Sequence, residues 1–305
     1  MKQIFFIFCS LLASASSLLI PSIDPQTDDK NDNPTIGIPT DEPTIDQTNV
    51  YTDTIKVMSY NIRNGRAHDK SNSWTHRRPA TILMLQDQQP DVFGVQEAFD
   101  YQVAYLADNL EQYNWYGVGR QNGQSKGEFT AIFYNTKTIQ LDDQGTFWLS
   151  RHPERPTRGW DAMFKRTATW ALMTHLESGK QFFLVNTHLD HVGKKARSNG
   201  LALVSKFIKE KNTQHLPVVL MGDFNVTPDA PCLTSLDAHL QSVREQAAVT
   251  DTISSFHKWG TKYEVIDYIY QSGFTQMPHF ETVTQPYGDR QYISDHYPIT
   301  AILVF

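Results

Sequence analysis

The stretch VVLMGDFN, residues 218–225, ends an apolar run on two oxygen-bearing side chains, Asp223 and Asn225. Three other β-rich runs end in a similar way: IKVMSYN on Asn61, DVFGVQE on Glu97 and FFLVNTH on His188. A fifth run, EVIDYIY, carries Asp267 among apolar residues, where an unpaired carboxylate is costly to bury and so calls for a partner. Ser294-Asp295-His296 precedes the last apolar run, ITAILVF. Asn61, Glu97, Asp223, Asn225 and Asp295 offer oxygen and no thiolate, a set that suits Mg²⁺, Mn²⁺ or Ca²⁺ and not structural zinc. Two histidines beside such carboxylates point to phosphate-ester hydrolysis, in which a cation stabilises charge developing on oxygen while an imidazole moves a proton. Asp223 and Asn225 are two residues apart, so strand alternation is expected to turn both to one face, where they could hold a water and a phosphate oxygen.

The elements that must position these groups follow from periodicity. From residue 50 the chain alternates short β-rich runs with helical patterns, which argues an α/β architecture. Helices are expected over 79–88, 101–110 and 194–211; in the last, Leu201, Val204 and Ile208 fall on one face. Ligands of open α/β sheets collect beyond strand ends, so the polar ends are expected to converge. Two segments, 145–170 and 249–260, mix Arg, His and Trp without a regular pattern and are expected to line the cleft. Such a lining suits a phosphate joined to a planar or sugar group. Trp148, Trp160 and Trp170 read as core or cleft-wall aromatics, and Asp190 as a hydrogen-bonding partner of its own loop.

With 305 residues, 40% of them hydrophobic, the chain can bury a large core. Residues 1–15 carry one Lys, an apolar stretch from Ile4 to Leu12 and Ala13-Ser14-Ala15, the pattern of a cleaved signal peptide. Export to the periplasm or the extracellular space is the expectation, without stable membrane insertion. Residues 16–49, crowded with Pro, Asp and Thr, read as a disordered acidic linker, and residues 50–305 as the catalytic domain. Once the signal is removed, Cys232 is the single thiol, so no intramolecular disulfide is expected. Residues 1–49 hold seven acids against two lysines, −5 of the chain's −6, which leaves −1 on residues 50–305. Composition therefore gives no support to tight non-specific binding of nucleic acid, although turnover needs only local charge.

NIRNG at 61–65, QE at 96–97, GEFTAIFYN at 127–135, NTHLDH at 186–191, GDFN at 222–225, IDYIY at 266–270 and SDH at 294–296 occur in order. This series resembles the motifs of the endonuclease/exonuclease/phosphatase superfamily, the DNase I-like fold, over roughly residues 55–305, as in its exported bacterial members. The resemblance implies a four-layer α/β sandwich of two packed, mainly antiparallel or mixed sheets with helices outside. It implies Glu97 and Asn61 at a metal, with Asp295 a second metal-side carboxylate. Asp223 would activate or orient the attacking water, Asn225 would contact the scissile phosphate, and His296, oriented by Asp267, would take part in proton transfer. His188 matches a second active-site histidine and Glu128 a glutamate that pairs with it; Arg63, Arg166 and His191 are candidate phosphate contacts. The implied activity is Mg²⁺-dependent hydrolysis of a phosphate ester by a monomeric enzyme, with a nuclease-like phosphodiesterase favoured and a nucleic acid or nucleotide as partner. A sugar or inositol phosphatase and a sphingomyelinase-type lipid hydrolase are the alternatives; an idle binding module would not need so complete a set of groups.

Overall fold

The computed structural model describes residues 53–305; the signal peptide expected over residues 1–15 and the whole linker expected over 16–49 lie outside the described residues. Twelve strands form two six-stranded sheets. The first holds β1 (Thr54–Asn61), β2 (Val92–Gln96), β3 (Tyr113–Tyr116), β4 (Ile132–Asn135), β11 (Gln276–Thr282) and β12 (Ile299–Val304), in the order β11-β12-β1-β2-β4-β3. The second holds β5 (Ile139–Trp148), β6 (Thr167–His175), β7 (Gln181–His188), β8 (Val218–Asp223), β9 (Gln241–Ser242) and β10 (Asp267–Ser272), in the order β5-β6-β7-β8-β10-β9. Each sheet is mixed: β1 and β2 are parallel, as are β7 and β8, and the other pairs are antiparallel.

The unbroken apolar runs are explained by burial on both faces. Along β1, Ile55 and Val57 point into the core between the sheets, while Met58 and Tyr60 face α1 (Trp74–Gln88) and α2 (Asp100–Asn109). Along β7, Phe182 and Leu184 face the other sheet, whereas Phe183 and Val185 pack on α3 (Lys194–Lys211) through Leu201, Val204 and Ile208. Helix, sheet, sheet and helix thus make four layers, each fully buried aliphatic contributing about 1.5–3 kcal/mol of transfer free energy.

The span of α3 is the expected one, and α2 is displaced by a single residue. The start of α1 differs. It begins at Trp74, after Ser73, so Pro79 lies inside the helix and not at its first position. Only one backbone bond is forfeited there, and Trp74, burying its ring against Tyr105, rewards the extra turn. At the end of β8, Gly222 is obligatory: its φ of 145 and the Thr187 carbonyl oxygen where a Cβ would lie admit no side chain.

Candidate active site

Both sheets deliver polar groups to one cavity of about 810 Å³. Asn61 ends β1, Glu97 follows β2, and Asp295 and His296 precede β12; His188 and Asp223 end β7 and β8, and Asp267 begins β10. The pairing registers set His188 beside Asp223 and Asp223 opposite Asp267. Asp267 is therefore a strand-end residue and not an interior one.

Asn61 ties the two sheets together. Its amide nitrogen donates to Asp223 Oδ2 at 2.9 Å and to Glu97 Oε1 at 3.3 Å, while its Oδ1 accepts the Arg63 N–H at 3.0 Å. Asp223 also accepts the Asn225 N–H at 2.9 Å. Burial, with the charge of Asp267 added, pushes the Asp223 carboxyl up to about 7, despite those donors and His296. Asn225 reaches the site by a route other than the expected one. The strand stops at Asp223, and Asn225 has φ 52, so a left-handed turn, not strand alternation, aims its amide at His188 Nε2 (3.0 Å) and the Leu189 carbonyl (3.1 Å).

The two histidines have different partners. His296 Nδ1 lies 2.8 Å from Asp267 Oδ2, the partner that Asp267 called for, and its Nε2 is 3.9 Å from Asp223 Oδ2. Burial works against its charge, but Asp267 and then Asp223 outweigh burial and hold it up at about 10, protonated. His188 has the Asn225 amide and, at 3.5 Å, Asp223 Oδ2. Burial, followed by the charges of Arg166 and Arg120, depresses it well below the usual histidine range, so the ring is neutral and its Nε2 is free to accept the Asn225 N–H. Glu128 does not pair with His188. Its Oε2 takes Arg120 at 2.7 Å and its Oε1 the Asn64 amide at 3.3 Å, because a guanidinium is the stronger partner for a buried carboxylate.

The residues near Glu97 fit a hard cation. Asp295 is buried and Glu97 partly buried, and their charges repel one another, burial being the larger cause of the rise at Asp295. Two cations compensate both, Arg63, which lies 3.3 Å from Asp295, and His296; against the effect of burial, Arg63 and then His296 hold Glu97 low. Glu97 sits at φ 63, a left-handed conformation uncommon for glutamate, and is pinned by the Asn64 N–H at 2.8 Å. Asn61 faces Glu97 with nitrogen and has its Oδ1 on the Arg63 N–H, so in this rotamer Glu97 and Asp295 are the oxygen donors on offer there. Among the described residues the tightest acidic and histidine cluster is Asp223, Asp267 and His296, all mutually within 4.8 Å. With His296 protonated and hydrogen-bonded to Asp267, that cluster suits proton transfer better than coordination.

The two segments line the cavity as expected, although the ends of the first belong to β5 and β6 and only 149–166 is irregular; the first contributes Phe164 and Arg166, the second Phe256, Lys258 and Trp259. Asp190 anchors the first by accepting the N–H groups of Met163, Phe164, Val192 and Gly193; burial opposes its ionisation, yet these donors hold it below the usual carboxylate range. The Asp295 carbonyl accepts the His257 and Lys258 N–H groups, each at 3.0 Å, anchoring the second. Trp148 and Trp170 are buried, and Trp148 supports the site by donating to the Arg120 carbonyl at 2.8 Å. Trp160 lies in the wall of a separate cavity. Arg120 was not foreseen: it occupies an irregular loop, and nothing in VGRQNG marks it. It and Arg166 are both buried, with Arg120 Nε and Arg166 Nη1 lacking hydrogen-bond partners. Arg63, Arg166 and His191 all face the cavity, His191 Nδ1 lying 3.2 Å from Arg166 Nη2.

Among solved structures, the chain is 33% identical to a mannosyl-6-phosphatase of Bacteroides thetaiotaomicron, with a TM-score of 0.79 over 82% of this chain and 100% of that one. A second protein of that organism, described as endonuclease/exonuclease/phosphatase family, is 32% identical, with a TM-score of 0.78 over 83% and 98% of the two chains. Among curated proteins, Nocturnin of Drosophila melanogaster is 25% identical over 215 residues, 60% of this chain; the chain spans 30% of that protein's length. The model of the Endonuclease/Exonuclease/phosphatase family matches residues 58–296, the span that carries both sheets and nearly every group of the site. The chain belongs to the endonuclease/exonuclease/phosphatase family.

Proposed function

We propose that this phosphoesterase is an exported, monomeric, Mg²⁺-dependent phosphatase that removes a terminal phosphate from a phosphorylated sugar. The observation that carries the reading is the Arg120–Arg166 wall beside His188. Two guanidiniums line the cavity, each with one carboxylate partner and more N–H groups than that partner uses, and so call for further acceptor oxygens. A phosphomonoester dianion brings one more terminal oxygen and one more charge than a diester. The nuclease-like reading favoured from sequence drew on the Arg, His and Trp of the lining segments, which suit a sugar as well as a base, and the Glu128–His188 pair implied by the resemblance to DNase I is not formed, Glu128 being engaged by Arg120 instead. Phe164, Phe256 and Trp259 give the cavity aromatic walls against which a sugar ring can pack. Similarity to the mannosyl-6-phosphatase supports the same reading. No helix among the described residues is long and apolar enough to cross a membrane.

In this mechanism Asp223, whose carboxyl rests near neutrality, takes the proton of the attacking water, with Asn61 and the Asn225 N–H orienting it. His296, held protonated by Asp267, gives a proton to the departing sugar oxygen. Asn225 and the arginine wall bind phosphoryl oxygens. A divalent cation held by Glu97 and Asp295 would supply positive charge to the phosphoryl group. The test is hydrolysis of mannose 6-phosphate, DNA and RNA oligonucleotides and sphingomyelin, with Mg²⁺ and with EDTA. Release of phosphate from the sugar, abolished by EDTA, is expected; preferential cleavage of an oligonucleotide would restore the nuclease reading, and full activity in EDTA would remove the cation.

A further inference from the structure

A second cavity, of about 490 Å³, lies between the 145–170 segment and the start of α3, lined by Arg151, His152, Arg158, Trp160, Asp161 and Lys195 and by none of the catalytic groups. Its wall holds three cations, Arg151, Arg158 and Lys195, against one carboxylate, Asp161. Arg151 and Arg158 have no acidic partner among the described residues. The carboxylate in the wall, Asp161, is engaged elsewhere, accepting the N–H groups of Ala196 at 2.7 Å and Lys195 at 3.2 Å at the start of α3. Trp160 is half-buried and its ring packs on no other aromatic ring.

The turn that presents Trp160 is held in place. Gly159 presses against the Leu149 carbonyl, where a Cβ would not fit, the Ala162 N–H closes on the Gly159 carbonyl at 2.9 Å, and Trp160 itself has φ 46. A bulky residue keeps that conformation only where its surroundings impose it. Four residues on, the same segment enters the catalytic cavity with Phe164 and Arg166, fixed there by Asp190. The spacing of the two cavities is therefore set by a short, anchored piece of chain.

Guanidiniums match phosphate oxygens in pairs, and an indole face accepts the apolar side of a sugar ring. We propose that this cavity binds a second phosphoryl group, with the ring that bears it, on the substrate whose terminal phosphate is removed at Asp223 and His296: an oligosaccharide phosphorylated at more than one residue. The saccharide assignment rests on the phosphatase reading above; the subsite itself rests on the cavity. The folded part of the chain, at −1, has no excess of cations to follow a long polyanion, which favours a short substrate with discrete charges over a nucleic acid.

Binding is measured by calorimetry with Asp223→Asn protein and Mg²⁺, using mannose 6-phosphate, an oligomannoside phosphorylated at both ends, and pentathymidylate; turnover is measured with Asp223 intact. The Arg151→Gln/Arg158→Gln variant should lower affinity for the doubly phosphorylated oligomannoside, relative to mannose 6-phosphate, about tenfold or more. Trp160→Ala should lower the same ratio about threefold to fivefold, with thermal melting confirming that each variant folds. An unchanged ratio in both variants overturns the subsite. A larger loss on pentathymidylate than on the oligomannoside overturns the saccharide assignment. Arginine-dependent binding of the oligomannoside, with no turnover of either sugar phosphate, supports the subsite and overturns the phosphatase reading.

Discussion

His296 and His188 face the same cavity within reach of the same carboxylate, yet the structure prepares them for opposite duties. His296 has the Asp267 carboxylate on Nδ1 and is held as an imidazolium. His188 has an amide on Nε2 and two arginines nearby, and is held neutral. Burial opposes charge at both, so the difference is set by partners: a carboxylate at hydrogen-bond distance overcomes desolvation, whereas neighbouring cations add to it. The glutamate that could have made the two histidines alike is neutralised by Arg120.

The largest effect should come from the His296 side. Asp267→Asn and His296→Ala are each expected to lower kcat on a sugar phosphate about 10²–10⁴-fold, and the double variant to be little worse than either. Additive losses in steady-state kinetics would show that the pair does not act as a unit. Asp223→Asn should fall in the same range, since it removes the water's base.

The pH profile should sharpen the contrast. An acid must be protonated to act, so activity limited by His296 is present below its pKa and lost as pH rises through about 10. Asp267→Asn removes the cause of that elevation, and the alkaline limb of kcat should move to lower pH. A limb that stays in place would assign it to another group.

On the His188 side the consequence should be structural before it is chemical. Glu128→Gln leaves Arg120 buried without its counter-charge, at a cost of about 3–5 kcal/mol in chemical denaturation. Its effect on kcat should stay below about tenfold, because the glutamate moves no proton. A kinetic loss as large as that of Asp267→Asn would make the two sides equivalent.

The smallest effect concerns acid stability. His188 and the fully buried His257, which neither ring nitrogen ties by a hydrogen bond of good geometry, both have depressed pKa values. For His257 burial, then the charge of His296, lowers it to about 4, a weak contact with the His296 backbone pulling the other way. The unfolded chain then takes up protons that the folded chain refuses, so this stability is present above the ordinary histidine range and is lost as pH falls from about 6.5 toward about 4. His257→Phe should flatten that part of a melting-temperature profile; an unaltered profile would mean that His257 is relaxed in the unprotonated and protonated protein alike.

Local pattern was enough to reveal that several strands end in ligand or acid–base groups, because each is the last residue of its own apolar run. Asn61, Glu97, His188 and Asp223 could be read in this way, and α3 could be bounded from the spacing of its apolar face. The same logic misled at Asn225, where two-residue spacing implied a shared strand face and a left-handed turn performs the task. It also failed at Trp74–Arg78, where a proline usually read as a helix start sits inside a helix whose beginning is fixed by a buried tryptophan.

What the sequence by itself determined is the α/β class and the inventory of reactive groups, since both depend on periodicity and on the ends of runs, with the four layers implied by the family resemblance. Tertiary structure alone decided who pairs with whom. Arg120 reaches Glu128 from an irregular loop and Asn61 bridges to Asp223 across 162 residues; the Asp267–His296 pair, across 29, was implied by the family resemblance and by no local pattern. Those pairings set the charge of each histidine, because the energy of a buried ion depends on the few ångströms around it and not on its neighbours along the chain.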